Sequence, residues 1–285
     1  MNVKRYFWLM VLSCALLPVF QAMRAQTPTP VFIPRSAQYD IPSKITGITY
    51  RVMVSTPFDA DPKKAYPVFY VLDGNQYFGA ATETVTRLAT LKDIEPAIVV
   101  GIGYPTEDPF EVNRLREGDL TPFPSKTARE KGERSGGGDA FLKSIDEEIK
   151  PFLAAHYKVD PSKQILYGHS LGGLMALREM FRNPTAFSTY ILSSPSIWYH
   201  EKAVLEDEDA FVKRAKAGEL HLRILITSGG DEPRGTMVDN ASELAKRLSG
   251  LKEISVTRTI FPDEIHASVS MASLSRAVRF ALGTK

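Results

Sequence analysis

A serine hydroxyl is a poor nucleophile until a neighbouring base takes its proton and a third group orients that base. Ser170 stands in Tyr167-Gly168-His169-Ser170-Leu171-Gly172-Gly173, after the run Gln164-Ile165-Leu166 and before the helical spacing of Leu174, Met175, Leu177 and Phe181. Small residues on both sides suit an abrupt turn from strand into helix, which lifts the hydroxyl above the sheet edge and makes Ser170 the candidate nucleophile. Five histidines compete to be its base. His156 falls at the end of an expected helix, His200 and His221 flank a charged stretch, and His169 sits inside the turn with its side chain directed away from Ser170. His266 follows Phe261-Pro262-Asp263-Glu264-Ile265, just beyond the last expected strand, and is the candidate base. Its alternative reading is a surface histidine at a helix start.

The acid is expected after the strand between nucleophile and base, where the chain reads Ser228-Gly229-Gly230-Asp231-Glu232-Pro233. Glu232 ranks ahead of Asp231, with Asp263 third, because spacing alone does not say which carboxylate turns inward. Were both exposed turn residues, a Ser–His dyad would remain. An oxyanion needs two backbone donors. The Leu171 amide is one, at a helix N-terminus whose dipole favours negative charge. The Asn75 amide, in the turn Asp73-Gly74-Asn75 after an earlier apolar strand, is the candidate for the other.

The elements that must hold these groups alternate. Strands are expected at 45–54, 66–72, 96–103, 164–166, 190–194, 222–227 and 254–261, and helices at 78–92, 141–152, 171–181, 201–219, 237–248 and 268–282. Strands that are apolar on both faces, alternating with helices, predict an α/β fold with a mostly parallel sheet covered on both sides. Between 104 and 137 periodicity vanishes, and Pro105, Pro109, Pro122, Pro124 and the glycines 136–138 predict a long active-site loop. Arg114 and Arg116 in that loop are candidates to pair with an anionic substrate, and Trp198 and Tyr199 to offer it aromatic faces. No zinc or calcium ligand spacing is present, and the glycine run lacks the lysine and serine of a phosphate loop, so no metal or cofactor is expected.

Lys4 and Arg5 precede an apolar stretch from Tyr6 to Phe20, with small Ala22 and Ala25 beyond it, which predicts a signal peptide over 1–25 and an exported, periplasmic protein. Pro18 and Gln21 interrupt the stretch, so a stable membrane span is not expected. Cys14 offers a lipoprotein cysteine, disfavoured because the apolar run continues past it. Losing the three cations of this leader takes the formal charge from +2 to −1, which is no nucleic-acid binder's balance. The remaining chain, 26–285, is expected to form one domain, and 44% hydrophobic residues supply a large core.

Several stretches together resemble the bacterial esterase D-like branch of the α/β hydrolases, specifically the ferri-siderophore esterases. They are Leu72-Asp73-Gly74-Asn75, Arg116 with Asp119-Leu120-Thr121-Pro122, the glycines before Phe141, and Gly168 to Gly173. Ser193-Ser194-Pro195-Ser196-Ile197-Trp198, Gly229 to Pro233 and His266 complete the set. The resemblance implies an α/β-hydrolase fold and hydrolysis of catecholate trilactone siderophores, iron-loaded or free, through an acyl-enzyme. It implies that Arg116, or failing that Arg114, holds the anionic ligand, and that Glu232 fits the acid better than Asp231. Carboxylesterases and feruloyl esterases of the same superfamily are the alternative reading, and a ligand-binding protein on a hydrolase scaffold is the non-enzyme one.

Overall fold

The computed structural model describes residues 29–284, so the expected leader at 1–25, with Cys14, lies outside the described residues. Residues 29–34 contain no helix or strand and lie outside the compact unit that begins at Arg35. Its centre is an eight-stranded sheet in the order β1-β2-β4-β3-β5-β6-β7-β8. The strands are β1 Ser36–Pro42, β2 Thr49–Ser55, β3 Tyr66–Leu72, β4 Ile98–Gly103, β5 Val159–His169, β6 Thr189–Ser193, β7 Leu222–Gly229 and β8 Ile254–Phe261. β1 pairs antiparallel with β2 and β2 with β4, and every later pairing is parallel. Every residue of β3, β4 and β6 is buried, because helices cover both faces.

Among the described residues, nine α-helices connect and cover the strands. They are α1 Gly74–Thr90, α2 Pro109–Asp119, α3 Lys126–Lys131, α4 Gly138–Ser144, α5 Lys150–His156, α6 Leu171–Arg182, α7 Glu208–Lys216, α8 Asp239–Leu248 and α9 Val269–Leu282. Alternation along the strands divides the core. Val68, Tyr70 and Leu72 face the cluster that holds Leu174 and Leu177 of α6 and Leu244 of α8. Phe69 points the other way and stacks on Tyr167, whose hydroxyl donates to the Ser270 carbonyl of α9.

The topology dictates where chemistry can sit. After β3 the chain runs outward through α1 to β4, and later returns to place β5 on the opposite side of β3. That reversal of strand order opens a crevice at the carboxyl ends of β3 and β5, where open α/β sheets bind their ligands. Asn75 and Ser170 lie just past those two ends.

The segment 104–137 is not the structureless loop that its lost periodicity predicts. It contains α2 and α3, because Asp108 caps α2 by accepting from the Phe110 amide and Pro109 fits the first helical position. Only Val112, Leu115, Gly118 and Asp119 of α2 are buried, too few for a readable apolar stripe. Asp119 anchors the segment. Its fully buried carboxylate accepts hydrogen bonds from the Tyr50 and Tyr104 hydroxyls and from Arg134 Nη2.

Candidate active site

Ser170 separates β5 from α6 with φ 59° and ψ −118°, a conformation that a residue with a Cβ adopts only when its surroundings enforce it. The Ser170 amide donates to the Ser193 carbonyl at 3.0 Å, and the Ser170 carbonyl accepts from the amides of Leu174 at 2.9 Å and Ser196 at 3.1 Å. Gly168 is obligatory at this turn, since a Cβ there would lie 2.1 Å from the Gly172 carbonyl oxygen. The sharp elbow thus follows from missing side chains on either side of the one that matters.

His266 and Glu232 arrive from neighbouring strand ends. The loops after β7 and β8 are stitched together by the Gly230 amide donating to the Phe261 carbonyl at 2.7 Å and the Asp231 amide donating to the Glu264 carbonyl at 3.1 Å. Gly229 permits the approach, because a Cβ on it would meet the Glu264 oxygen at 2.1 Å. His266 Nε2 lies 2.8 Å from Ser170 Oγ, and His266 Nδ1 lies 2.5 Å from Glu232 Oε1. Glu232 has a fully buried side chain, and its other oxygen accepts from Ser194 Oγ at 2.8 Å and from the Gly229 amide at 2.7 Å. Burial alone would raise its pKa, but the hydrogen bonds from His266, Ser194 and Gly229 outweigh this and hold the carboxyl below its usual range. An ionised Glu232 can only accept, so the proton of neutral His266 sits on Nδ1 and Nε2 is left to accept from Ser170.

Asp231 and Asp263, the rival acids, are exposed. Leu171 and Asn75 occupy the first and second positions of α6 and α1, where backbone N–H groups have no intrahelical partner. The Asn75 side chain is already committed: its amide nitrogen donates to the Tyr104 and Thr106 carbonyls and its oxygen accepts from the Tyr104 amide. Its backbone N–H alone is left for an oxyanion.

Comparisons with known proteins place the chain in a family. A family model described as a putative esterase matches residues 43–266. Ferri-bacillibactin esterase BesA of Bacillus subtilis (strain 168) is 38% identical over 245 residues, covering 82% of this chain and 85% of that protein. The chain belongs to this esterase family. The siderophore triacetylfusarinine C esterase of Aspergillus fumigatus is 33% identical over 280 residues, covering 88% of the esterase described here and 94% of its relative. The crystal structure of the BES protein from Bacillus cereus superposes with a TM-score of 0.83 at 35% identity, covering 90% of this chain and 98% of that one. The esterase is therefore an ester hydrolase of the α/β-hydrolase fold, as the sequence motifs predict.

The residues expected to meet substrate are differently placed. Arg114 of the esterase forks onto Glu111 on the exposed face of α2. Arg116 turns inward and forks onto Asp73, through Nε at 2.8 Å and Nη2 at 2.9 Å. Trp198 is 46% exposed, with its ring 6.2 Å from that of Tyr199, two residues past Ser196, whose hydroxyl lies 3.4 Å from Ser170 Oγ. A cavity of about 630 Å³, lined by Ser55, Val85, Pro96 and Val99 among others, adjoins the start of β4 and so lies at the sheet end away from Ser170. Among the described residues no helix is long and apolar enough to cross a membrane, and no group of three or more His, Cys, Asp or Glu residues is placed to hold a metal ion.

The sequence alone assigns no role to the serines at the end of β6 or to His169. Ser194, held at φ 42°, clamps Glu232, and Ser193 Oγ lies 3.3 Å from His169 Nδ1. The only sequence signal is a run of hydroxyls at the end of the strand beside the nucleophile's. The His169 ring is buried 4.7 Å from that of His266, and burial, with the nearby His266 and Arg116 charges, brings its pKa down to about 3. A histidine depressed in the folded state binds its proton only on unfolding, so stability is lost as pH falls below its unfolded value of ~6.5. At pH 5 this linkage costs about 2 kcal/mol relative to pH 8. In His169→Gln the drop in urea-unfolding free energy between pH 8 and pH 5 should shrink by about that amount; an undiminished drop would show that His169 does not titrate on unfolding.

Proposed function

We propose that the protein hydrolyses the ester bonds of a siderophore, a catecholate trilactone in particular, by acyl transfer through Ser170. The continuous Ser170–His266–Glu232 chain, with contacts of 2.8 and 2.5 Å, carries the reaction type. Support for the substrate class comes from relatives whose names specify siderophore esters.

As Ser170 Oγ attacks the ester carbonyl carbon, its proton passes to His266 Nε2. The resulting imidazolium is stabilised by Glu232, already bonded to its Nδ1–H. Negative charge gathers on the former carbonyl oxygen, which the Leu171 and Asn75 amides receive without reorganising. His266 then protonates the leaving alkoxide, which opens the lactone ring and leaves the alcohol tethered to the acyl-enzyme. Water enters, gives its proton to the same nitrogen, and attacks the acyl-enzyme to release the acid and restore Ser170.

The test is side-by-side hydrolysis of iron-loaded and iron-free catecholate trilactone, a feruloyl ester and a short p-nitrophenyl ester. We expect kcat/KM for a trilactone to exceed that for the feruloyl ester at least tenfold; turnover of simple esters with both trilactones untouched would refute the substrate assignment. The basic and apolar start of the chain further supports export to the periplasm. The N-terminal sequence of protein recovered from that fraction checks this, and an intact Met1 would refute cleavage.

A further inference from the structure

Arg116 carries the charge expected of a substrate anchor, yet both nitrogens of its fork are taken by Asp73, in a pair whose side chains are 14% and 2% exposed. We propose that Arg116 is a positioning residue for the oxyanion hole, acting through Asp73, and that it does not capture the substrate. The inference rests on the reading of Ser170 as nucleophile and of Leu171 and Asn75 as oxyanion donors.

Two features of Asp73 make it a control point. It joins β3 to α1 in the left-handed conformation, φ 55° and ψ 45°, which favours glycine, so something beyond its own backbone preference must hold it there. Its carbonyl accepts from the Gln76 amide at 2.9 Å and the Tyr77 amide at 3.2 Å, closing the first turn of the helix that presents the Asn75 N–H. Fixing Asp73 therefore fixes the direction of that donor. A bidentate guanidinium, planar and with its fork matched to the carboxylate, supplies the restraint from α2.

The second feature is charge. The Asp73 carboxylate lies against the start of α6: a Cβ placed on Gly172 would be 3.3 Å from Asp73 Oδ2. An uncompensated anion there would claim the positive end of the α6 dipole, the same field that must stabilise the oxyanion beside Leu171. Arg116 neutralises Asp73 and leaves that field to the reaction. Burial opposes the Arg116 charge, but the adjacent Asp73 carboxylate more than offsets it and keeps the guanidinium protonated.

A neutral substrate separates positioning from capture. With p-nitrophenyl butyrate, Arg116→Gln should lower kcat about a hundredfold while KM stays within about twofold, the size and pattern of a lost oxyanion donor. Asp73→Asn in the Arg116→Gln background removes the stranded anion and should bring kcat back to within about tenfold of the parent. A rise in KM of tenfold or more with kcat unchanged, unchanged kinetics, or a double variant no faster than Arg116→Gln would overturn the proposal. Thermal unfolding of each variant checks folding. If Arg116→Gln does not fold, Arg116→Lys, which keeps the charge but loses the fork, decides: lowered kcat at unchanged KM supports the proposal, and any other pattern overturns it. Ser170→Ala is assayed alongside, because activity surviving in that variant refutes the nucleophile whatever the arginine variants do.

Discussion

Ser170→Ala should lower kcat by at least about ten-thousandfold for every ester, while the protein remains folded. The loss is large because nothing else near the site can take over. Ser196 Oγ lies 3.4 Å from Ser170 Oγ, but Nε2 of His266 is aimed at Ser170 and the elbow lifts only that side chain to the crevice. The fold is spared because the hydroxyl touches only His266 and Ser196, whereas the backbone bonds of Ser170 to Ser193, Leu174 and Ser196 do not involve it. Alanine inherits the strain at φ 59°, and glycine does not. Ser170→Gly should therefore be more stable than Ser170→Ala by about 1 kcal/mol, with both inactive. Burst titration with a p-nitrophenyl ester and urea denaturation measure the two effects. Ester hydrolysis undiminished in Ser170→Ala would remove the mechanism, and an alanine variant as stable as the glycine variant would remove the strain at the elbow.

What the sequence made legible was whatever depends on local pattern. The continuous apolar run of β3 places that strand at its observed limits, 66–72, and the last strand, expected at 254–261, is β8. β1 escaped notice because Ser36–Pro42 is an edge strand with four exposed residues and none buried. The helix α2 escaped because its inward face is short and its start is marked only by Asp108-Pro109. Within the site, chain order and elimination single out Ser170 and His266, whose side chains the structure brings to 2.8 Å of each other. Glu232 ranks ahead of Asp231 in the sequence, but what turns its carboxylate inward is not legible there, since it depends on the turn folding that carboxylate back onto the Gly229 amide of its own strand end. Ser194 with Glu232 and Arg116 with Asp73 lie 38 and 43 residues apart, and only the packing of loops at one end of the sheet makes those pairs.

Glu232→Gln should lower kcat by about a thousandfold or more, although the side chain changes by little more than an oxygen for an NH2 group. The reason is the fixed donor on its far side. In the parent, Oε2 accepts from the Gly229 amide and the Ser194 hydroxyl, and Oε1 accepts from His266 Nδ1. Glutamine has one acceptor end and one donor end. The Gly229 N–H cannot turn away, so the glutamine oxygen must face it, while the Ser194 hydroxyl can rotate to suit. The NH2 group is then presented to His266 Nδ1, which must accept, and the imidazole proton moves to Nε2. A protonated Nε2 points at Ser170 and cannot take its proton. Glu232→Ala forces no tautomer, so it should be less damaging than Glu232→Gln although it removes more atoms. That inverted order distinguishes tautomer control from simple loss of charge. Steady-state kcat on one p-nitrophenyl ester measures both variants. A Glu232→Gln enzyme within about fivefold of the parent would mean that Ser170 and His266 work as a dyad, and Ala slower than Gln would mean that the carboxylate acts through its charge alone.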